Sequence, residues 1–308
     1  MSSKLLIPKP PAPTPSRLIA IRKVMLKDLD RVETYPALSE TTARAMALVN
    51  NPNVSLAEVA GLIRRDAVVA AAVLRRANSW TYGSRRVIDN LQQAVLRVGL
   101  QECGKILCAV GMRAMYERCT PAVQLRCDVI QRHSLFVAHL ASEINRTAGL
   151  GFSGAEFTAG LLHDIGRVVI ATKCPLEGAL YEPTDLEGES GIGYERDVFG
   201  IDHCAVGDQF ATHNCLPEAV ERTILNHHRP AEEPFQTTLV ALVALSNRVA
   251  NFAQREHTVA HYDLGECPAF RILARGWGTH QEANFRQSLP VVVVRAFKNA
   301  RAMVKAYS

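Results

Sequence analysis

Apolar residues recur at three- and four-residue spacing along most of the chain, and Ser, Asp, Asn, Gly and Pro cut that repeat into short helical segments. Ser39 is placed to cap a helix carrying Ala43, Met46 and Ala47, which Pro52 ends. Ser55 with Glu58 has the spacing of a capping box and opens a helix whose apolar set is Val59, Leu62 and Ile63. Asp66 caps the next, Asn90 opens another around Val95, and beyond Gly99 the residues Cys103, Ile106, Leu107 and Val110 share a face. Thr120-Pro121 sets proline at the first position of a long helix with the stripe Val129, Phe136, Val137, Leu140 and Ile144. A second capping box, Ser153 with Glu156, predicts a helix that ends at His163-Asp164. Asp202 caps a helix with His203, Val206, Phe210 and His213 on one side. Pro217 starts another carrying Val220, Ile224, His227 and His228, and Pro230 stops it. Leu239, Leu242, Val243, Ser246 and Ala250 predict one more, with Asn247 at the edge of the stripe.

No stretch alternates convincingly as a strand does and no internal repeat is present, so the expected class is all-α, a helical bundle of two packed subdomains. The expected divisions are a proline-rich, disordered tail over residues 1–17, a helical subdomain over 18–120, a second over 121–255 and an extension over 256–308. Thr120-Pro121 marks the central boundary. Residues 174–194, with Pro175, Gly178, Pro183, Gly188, Gly191 and Gly193, predict a loop, and residues 257–278 are loop-like. Pro290 then opens a helix with Val293, Phe297, Ala300 and Val304 on one side and Arg295, Lys298, Arg301 and Lys305 on the other. That basic face fits a solvated surface better than a membrane surface, on base rates.

Composition narrows the picture without deciding it. The 308 residues are 48% hydrophobic, enough for a substantial core, and 35 basic against 30 acidic residues leave a net charge of +5 that permits an anionic partner without demanding one. Eight cysteines with no C-x-x-C pair argue against a zinc ribbon or a disulfide framework and fit reduced thiols in a cytoplasm. Leu5-Leu6-Ile7 is cut short by prolines, so no secretory signal is expected, and the longest apolar runs are too short to cross a bilayer. Pro8-x-x-Pro11 has the form of a polyproline ligand, although a plain spacer is the favoured reading on composition.

The candidate chemistry lies in histidines set into apolar stripes. His133, His163-Asp164, His203 and His227-His228 turn titratable groups inward from several helices, and buried polar groups need partners. A shared metal supplies them, since imidazoles and carboxylates converging from separate helices are how bundles build metal sites. The plainer alternative is a set of hydrogen-bonded core histidines, with His227 and His228 favoured at a helix C-terminus by its dipole.

The order His133, His163-Asp164, His203, His227-His228 resembles the metal-binding succession of the HD superfamily of metal-dependent phosphohydrolases, including its HD-GYP branch. Tyr35-Pro36-Ala37-Leu38-Ser39, Ile63-Arg64-Arg65-Asp66, Leu74 to Ser79 with Tyr82-Gly83, and Ala94 to Leu100 are more closely similar to the HDOD domain, the HD-related output domain of bacterial signalling proteins. Arg132-His133-Ser134, Ala159 to Arg167, Phe199 to His203 with Val206-Gly207, and Asn226 to Pro230 continue the likeness, which spans about residues 30–250. The resemblance implies an HD-like second subdomain, a metal set of His133, His163, Asp164, His203, His227, His228 and Asn247, and Arg167 as a phosphate ligand. A divalent transition metal, Fe or Mn, is the implied cofactor.

Two departures bear on activity. Asn247 stands where the superfamily's catalytic members keep a second aspartate, so an ion there loses part of its neutralisation. Arg167 replaces the usual lysine, and no Gly-Tyr-Pro follows His227-His228. The reading that follows is a cytoplasmic regulatory protein working through other signalling proteins, with a degenerate metal site and no assigned catalytic residue. The alternative is a metal-dependent phosphohydrolase or phosphodiesterase acting on nucleotides. The pairs Arg64-Arg65, Arg75-Arg76 and Arg85-Arg86 raise a DNA reader as a third reading, but cations at helix ends also satisfy terminal carbonyls, so nucleic acid is not the expected partner.

Overall fold

A computed structural model describes residues 14–29, 38–49, 55–79, 87–117, 119–175 and 188–307. The helices are α1 (Pro15–Leu29), α2 (Glu40–Val49), α3 (Leu56–Arg64), α4 (Ala67–Ala77), α5 (Leu91–Val98), α6 (Leu100–Glu117), α7 (Pro121–Ala148), α8 (Ala155–Leu162), α9 (Ile165–Lys173), α10 (Gly188–Phe199), α11 (His203–His213), α12 (Glu218–Asn226), α13 (Thr237–Glu256), α14 (Pro268–Leu273) and α15 (Thr279–Tyr307). A 3₁₀ turn at Pro230–Glu232 joins α12 to α13. Among the described residues there is no strand.

Local chemistry sets most of these starts. Ser55 Oγ accepts from Glu58 N while the Glu58 carboxylate takes the Ser55 N–H, the reciprocal box that the spacing predicts. Asp66, Asn90 and Asp202 each accept from backbone N–H groups in the first turn of α4, α5 and α11. Ser39 Oγ accepts from Thr42 N at 3.1 Å at the head of α2. Of the arginine pairs, Arg75-Arg76 makes structural contacts: Arg76 is buried against Glu102 at 2.9 Å, and Arg75 Nε donates to the Ala306 carbonyl near the end of α15, while Arg64 and Arg65 are exposed.

One apolar core runs through the chain, from Met25 and Met46 through Ile106 and Leu140 to Phe270 and Met303. The long helix α7 is its axis, packed by α8, α13 and α15, and α15 continues across to α4. Glycine permits the tightest approaches. A Cβ on Gly160 would lie 2.8 Å from the Ala138 Cα on α7, and one on Gly166 would lie 2.8 Å from the Gly207 N on α11 and closer still to the His203 carbonyl. These contacts bring α8 and α9, which flank His163-Asp164, against the helices that carry the other histidines.

Several expectations are corrected. Pro15, Ser16 and Arg17 already belong to α1, while residues 1–13, Tyr35-Pro36-Ala37, Ala47's side chain, Pro52, Tyr82-Gly83, Arg85-Arg86 and residues 176–187 lie outside the described residues. Gly188, Gly191 and Gly193 fall inside α10, not in a loop. Residues 257–278 are interrupted by α14. Gly154, at φ 124°, caps α8 in place of Ser153; Glu156 is buried and accepts from Gly154 N and Ser142 Oγ, so its carboxylate serves the core instead of a Ser box. Pro290 lies within α15 because Phe285 and Leu289 before it and Val292 and Val293 after it are all buried, and that packing carries the helix through one missing N–H. Val129 and Phe297 point outward, at 41% and 49% exposure, with Ile130 and Ala296 taking the inward positions.

Gly166→Ala tests the closest of these approaches. The added methyl has only backbone to displace, so unfolding in urea is expected to show a loss of about 2–3 kcal/mol, with the midpoint falling and the denaturant slope unchanged.

Candidate metal centre

His163 is the residue after α8 and Asp164 the cap of α9, so the dipeptide occupies a sharp junction between two buried helices. His203 opens α11, His227 follows α12, and His228 comes next in the turn toward Pro230. His133 projects from the middle of α7 and Asn247 from α13. All seven are buried except His228, which is half-buried.

The side chains converge as the sequence implies. Asp164 Oδ1 lies 3.3 Å from His203 Nε2 and 3.7 Å from His227 Nε2, and His163 Nε2 is 3.4 Å from Asp164 Oδ2. His203 Nε2 is 3.4 Å from His227 Nε2 and 3.1 Å from His228 Nε2. Ligand atoms about 2.0–2.1 Å from an ion at tetrahedral angles lie about 3.3 Å apart, so the Asp164–His203, His203–His227 and His203–His228 separations suit neighbouring donors, and His203, Cys204, His227 and His228 offer atoms within 4.8 Å of one another.

Ring orientation supports the same fit. His163 and His227 each direct Nδ1 at a backbone carbonyl, Gly160 at 2.8 Å and Ile224 at 2.9 Å, so Nδ1–H donates outward and the Nε2 lone pair faces inward. His203 Nδ1 meets the Glu195 carboxylate at 2.6 Å, and the same oxygen accepts the His203 backbone N–H at 2.7 Å. His163 Nε2 is buried with no hydrogen-bond partner, a polar atom aimed at a place where an ion would satisfy it.

The charges are distributed unequally. Burial pushes His163 down to about 4 and holds His227 and His228 well below the usual imidazole range, with the neighbouring imidazoles adding to it at His227 and His228. Burial also opposes charge on His203, but Cys204 and Glu195 outweigh it and hold its pKa well above the ordinary value. Burial in turn raises the Cys204 thiol, while the nearby His203 lowers it. Burial likewise opposes charge on Asp164, and Arg167, whose Nε is 3.0 Å from Oδ1, leads the groups that hold it well below the usual carboxylate range. Of the four imidazoles, His203 beside the Glu195 carboxylate is the one on which positive charge is least opposed.

The remaining half of the set is arranged differently. His133 Nε2 lies 2.9 Å from Asn247 Oδ1 and its Nδ1 3.0 Å from Gln254 Oε1, while Asn251 Nδ2 donates to the same Asn247 oxygen at 3.0 Å. Both ring nitrogens are engaged by amides. A neutral ring donates to one of these oxygens and needs the other amide turned to present its NH2, and by distance His133 also groups with His163 and Asp164. Arg167 is buried and pairs with Asp164, and the cavity beside it, walled by Ile130, Ile170 and Phe199, measures about 10 Å³, room for a water and not for a phosphate group.

The HDOD domain profile matches residues 35–230. The chain belongs to the HDOD family. An uncharacterized protein of Treponema pallidum (strain Nichols) is 26% identical to it over 247 residues, 79% of this chain and 47% of that protein, so the chain spans about half the length of this relative. An HDOD domain protein of unknown function from Geobacter sulfurreducens superposes with a TM-score of 0.69 at 24% identity, covering 92% of this chain and 98% of that one. A candidate metal-dependent phosphohydrolase from Shewanella amazonensis SB2B gives 0.61 at 19% identity, over 95% and 100% of the two chains. At these identities the structural likeness carries the fold. Among the described residues, no helix of this HDOD chain is long and apolar enough to cross a membrane.

Three residues of the site escape sequence reasoning. Glu195 lies one residue past the segment expected to be a loop, and nothing in its neighbourhood marks it as the acid behind His203. Cys204 follows His203 and its sulfur is 3.5 Å from His203 Nε2, a sequence neighbour that could have been flagged as a soft donor. Gln254 lies seven residues, two helical turns, beyond Asn247, and that shared face was the available signal.

Glu195→Ala leaves His203 buried without its carboxylate. A loss of about 3 kcal/mol or more in chemical denaturation is expected, with Glu195→Gln recovering part of it by keeping a hydrogen-bond acceptor.

Proposed function

We propose that this HDOD chain is a regulatory signalling protein that acts by binding other proteins, and that its histidine cluster keeps one ion position while the other has been converted into an amide network. The observation that carries this reading is the engagement of His133 by Asn247 and Gln254, neutral groups holding both nitrogens of a ring that would otherwise face an ion. Asp164, His203, His227 and His228 would hold a divalent transition metal such as Fe or Mn, and Glu195 would orient His203 behind it. Such an ion supplies Lewis acidity and a more acidic bound water. In this chain Asp164 is already paired with Arg167, and the small cavity beside that arginine leaves the phosphate-binding role without space.

The likeness to a candidate metal-dependent phosphohydrolase and the buried His-Asp pair favour the second reading, hydrolysis of a nucleotide phosphoester. The two separate cleanly. Protein purified without chelators is expected to carry about one ion per chain by elemental analysis, to lose it in His228→Ala, and to show no hydrolysis of cyclic or linear dinucleotides with added Mn or Fe. Brisk phosphodiester cleavage would establish the hydrolase instead.

Asn247→Asp restores the missing charge. It is expected to raise the bound metal to about two ions per chain by freeing His133 and adding an anionic oxygen, read by the same elemental analysis. Metal content unchanged by that substitution would show that Asn247 is not what closes the second position.

A further inference from the structure

Outside the histidine cluster, a groove of about 770 Å³ lies between α7, the end of α13, the following loop and α15. Its walls are Phe136, Val259, Pro290, Val293, Val294 and Phe297, and its polar rim includes Lys298 and Arg301. Val291, Val294 and Phe297 are exposed at 60%, 53% and 49%, a strip of apolar surface along one helix that a folded domain has no structural reason to leave in water. On the same helix, Arg295 meets Glu143 at 3.3 Å. Lys298 and Arg301 have no acidic partner among the described residues, so the groove carries an apolar body with uncompensated positive charge at its edge.

We propose that this groove binds a free amphipathic carboxylate with an extended aliphatic chain, the chain lying along Phe136, Val259, Val293 and Val294 and the carboxylate meeting Lys298 and Arg301. The volume is that of a small-molecule site, within the usual range of about 300–1,000 Å³. The lining is mainly aliphatic, and its two aromatic rings, Phe136 and Phe297, are set edge to face at 5.7 Å and 82°, which leaves no parallel slot for a flat base to stack in. Lys298 and Arg301 lie three residues apart on one helix face, where the arginine fork matches a carboxylate. Gln254 forms part of the wall, and its amide also holds His133 Nδ1, so an occupant lies one side chain away from the histidine cluster.

The test is calorimetric titration of the full chain with dodecanoate, held below its micellar concentration, beside dodecanol as the uncharged arm and dodecyl phosphate as the other anionic head. Saturable binding of dodecanoate is expected, with the affinity of a Lys298→Ala, Arg301→Ala double variant about tenfold weaker and dodecanol weaker than dodecanoate by a similar factor. Val294→Glu, which sets an anion in the groove, should abolish binding; this position is exposed, so the fold is not at risk, and circular dichroism confirms it. Equal binding of dodecanol and dodecanoate, tighter binding of dodecyl phosphate, or affinity unaffected by the double variant each overturns the proposal. So does sedimentation showing a dimer of the unliganded chain that Val294→Glu dissociates, because a second copy would then cover the groove.

Discussion

The carboxylate of Asp164 is the constraint around which the second half of the molecule is arranged. It is almost wholly removed from water, and an isolated buried carboxylate costs far more than a fold can supply. Its solvation has to be rebuilt from side chains. Arg167 provides one charge at 3.0 Å, and His163, His203 and His227 close around the two oxygens from three other places in the chain. The carboxylate therefore specifies where α8, α9, α11 and the end of α12 must meet, and each histidine is held by something behind it: a carbonyl for His163 and His227, a carboxylate for His203.

Such convergence needs helix backbones to come closer than side chains ordinarily allow. The residue two beyond Asp164 is glycine, and it is there that α9 meets the His203 carbonyl and Gly207 on α11. Gly160 does the same for α8 against α7. Packing and electrostatics are thus one device, since a methyl at Gly166 would press directly on the backbone of His203, the histidine backed by Glu195.

Local rules made much of this legible. Ser55 with Glu58, Asp66, Asn90 and Asp202 announce their helices because an N-cap is decided by residues two or three positions away. The convergence of His133, His163, Asp164, His203 and His227 was legible because polar residues interrupting apolar stripes must find each other. What failed was decided at longer range. Glu156 looks like a capping acid and is instead drawn into the core by Ser142, Pro290 looks like a helix start and is overridden by buried neighbours on both sides, and the glycines of α10 are outweighed by Ile192, Val198 and Phe199 packing inward. Glu195 was silent, and Gln254 offered only the face it shares with Asn247, because an acid or amide on a helix is ordinary until the partner across the interior is known.

Charge arithmetic explains why a chain with Asn247 can keep the cluster intact. Arg167 lies 3.0 Å from Asp164, and Glu195 stands 2.6 Å from His203, so the two acids of the cluster each already have a basic partner. A second aspartate at position 247 would leave one negative charge over and would require a further cation to remain buried. Asparagine removes that requirement and fills the space with hydrogen bonds to His133 and Asn251. In a hydrolase the uncompensated charge is useful, because it recruits the ion that polarises the phosphate. With an amide at this position the buried contact to His133 is kept without adding that charge.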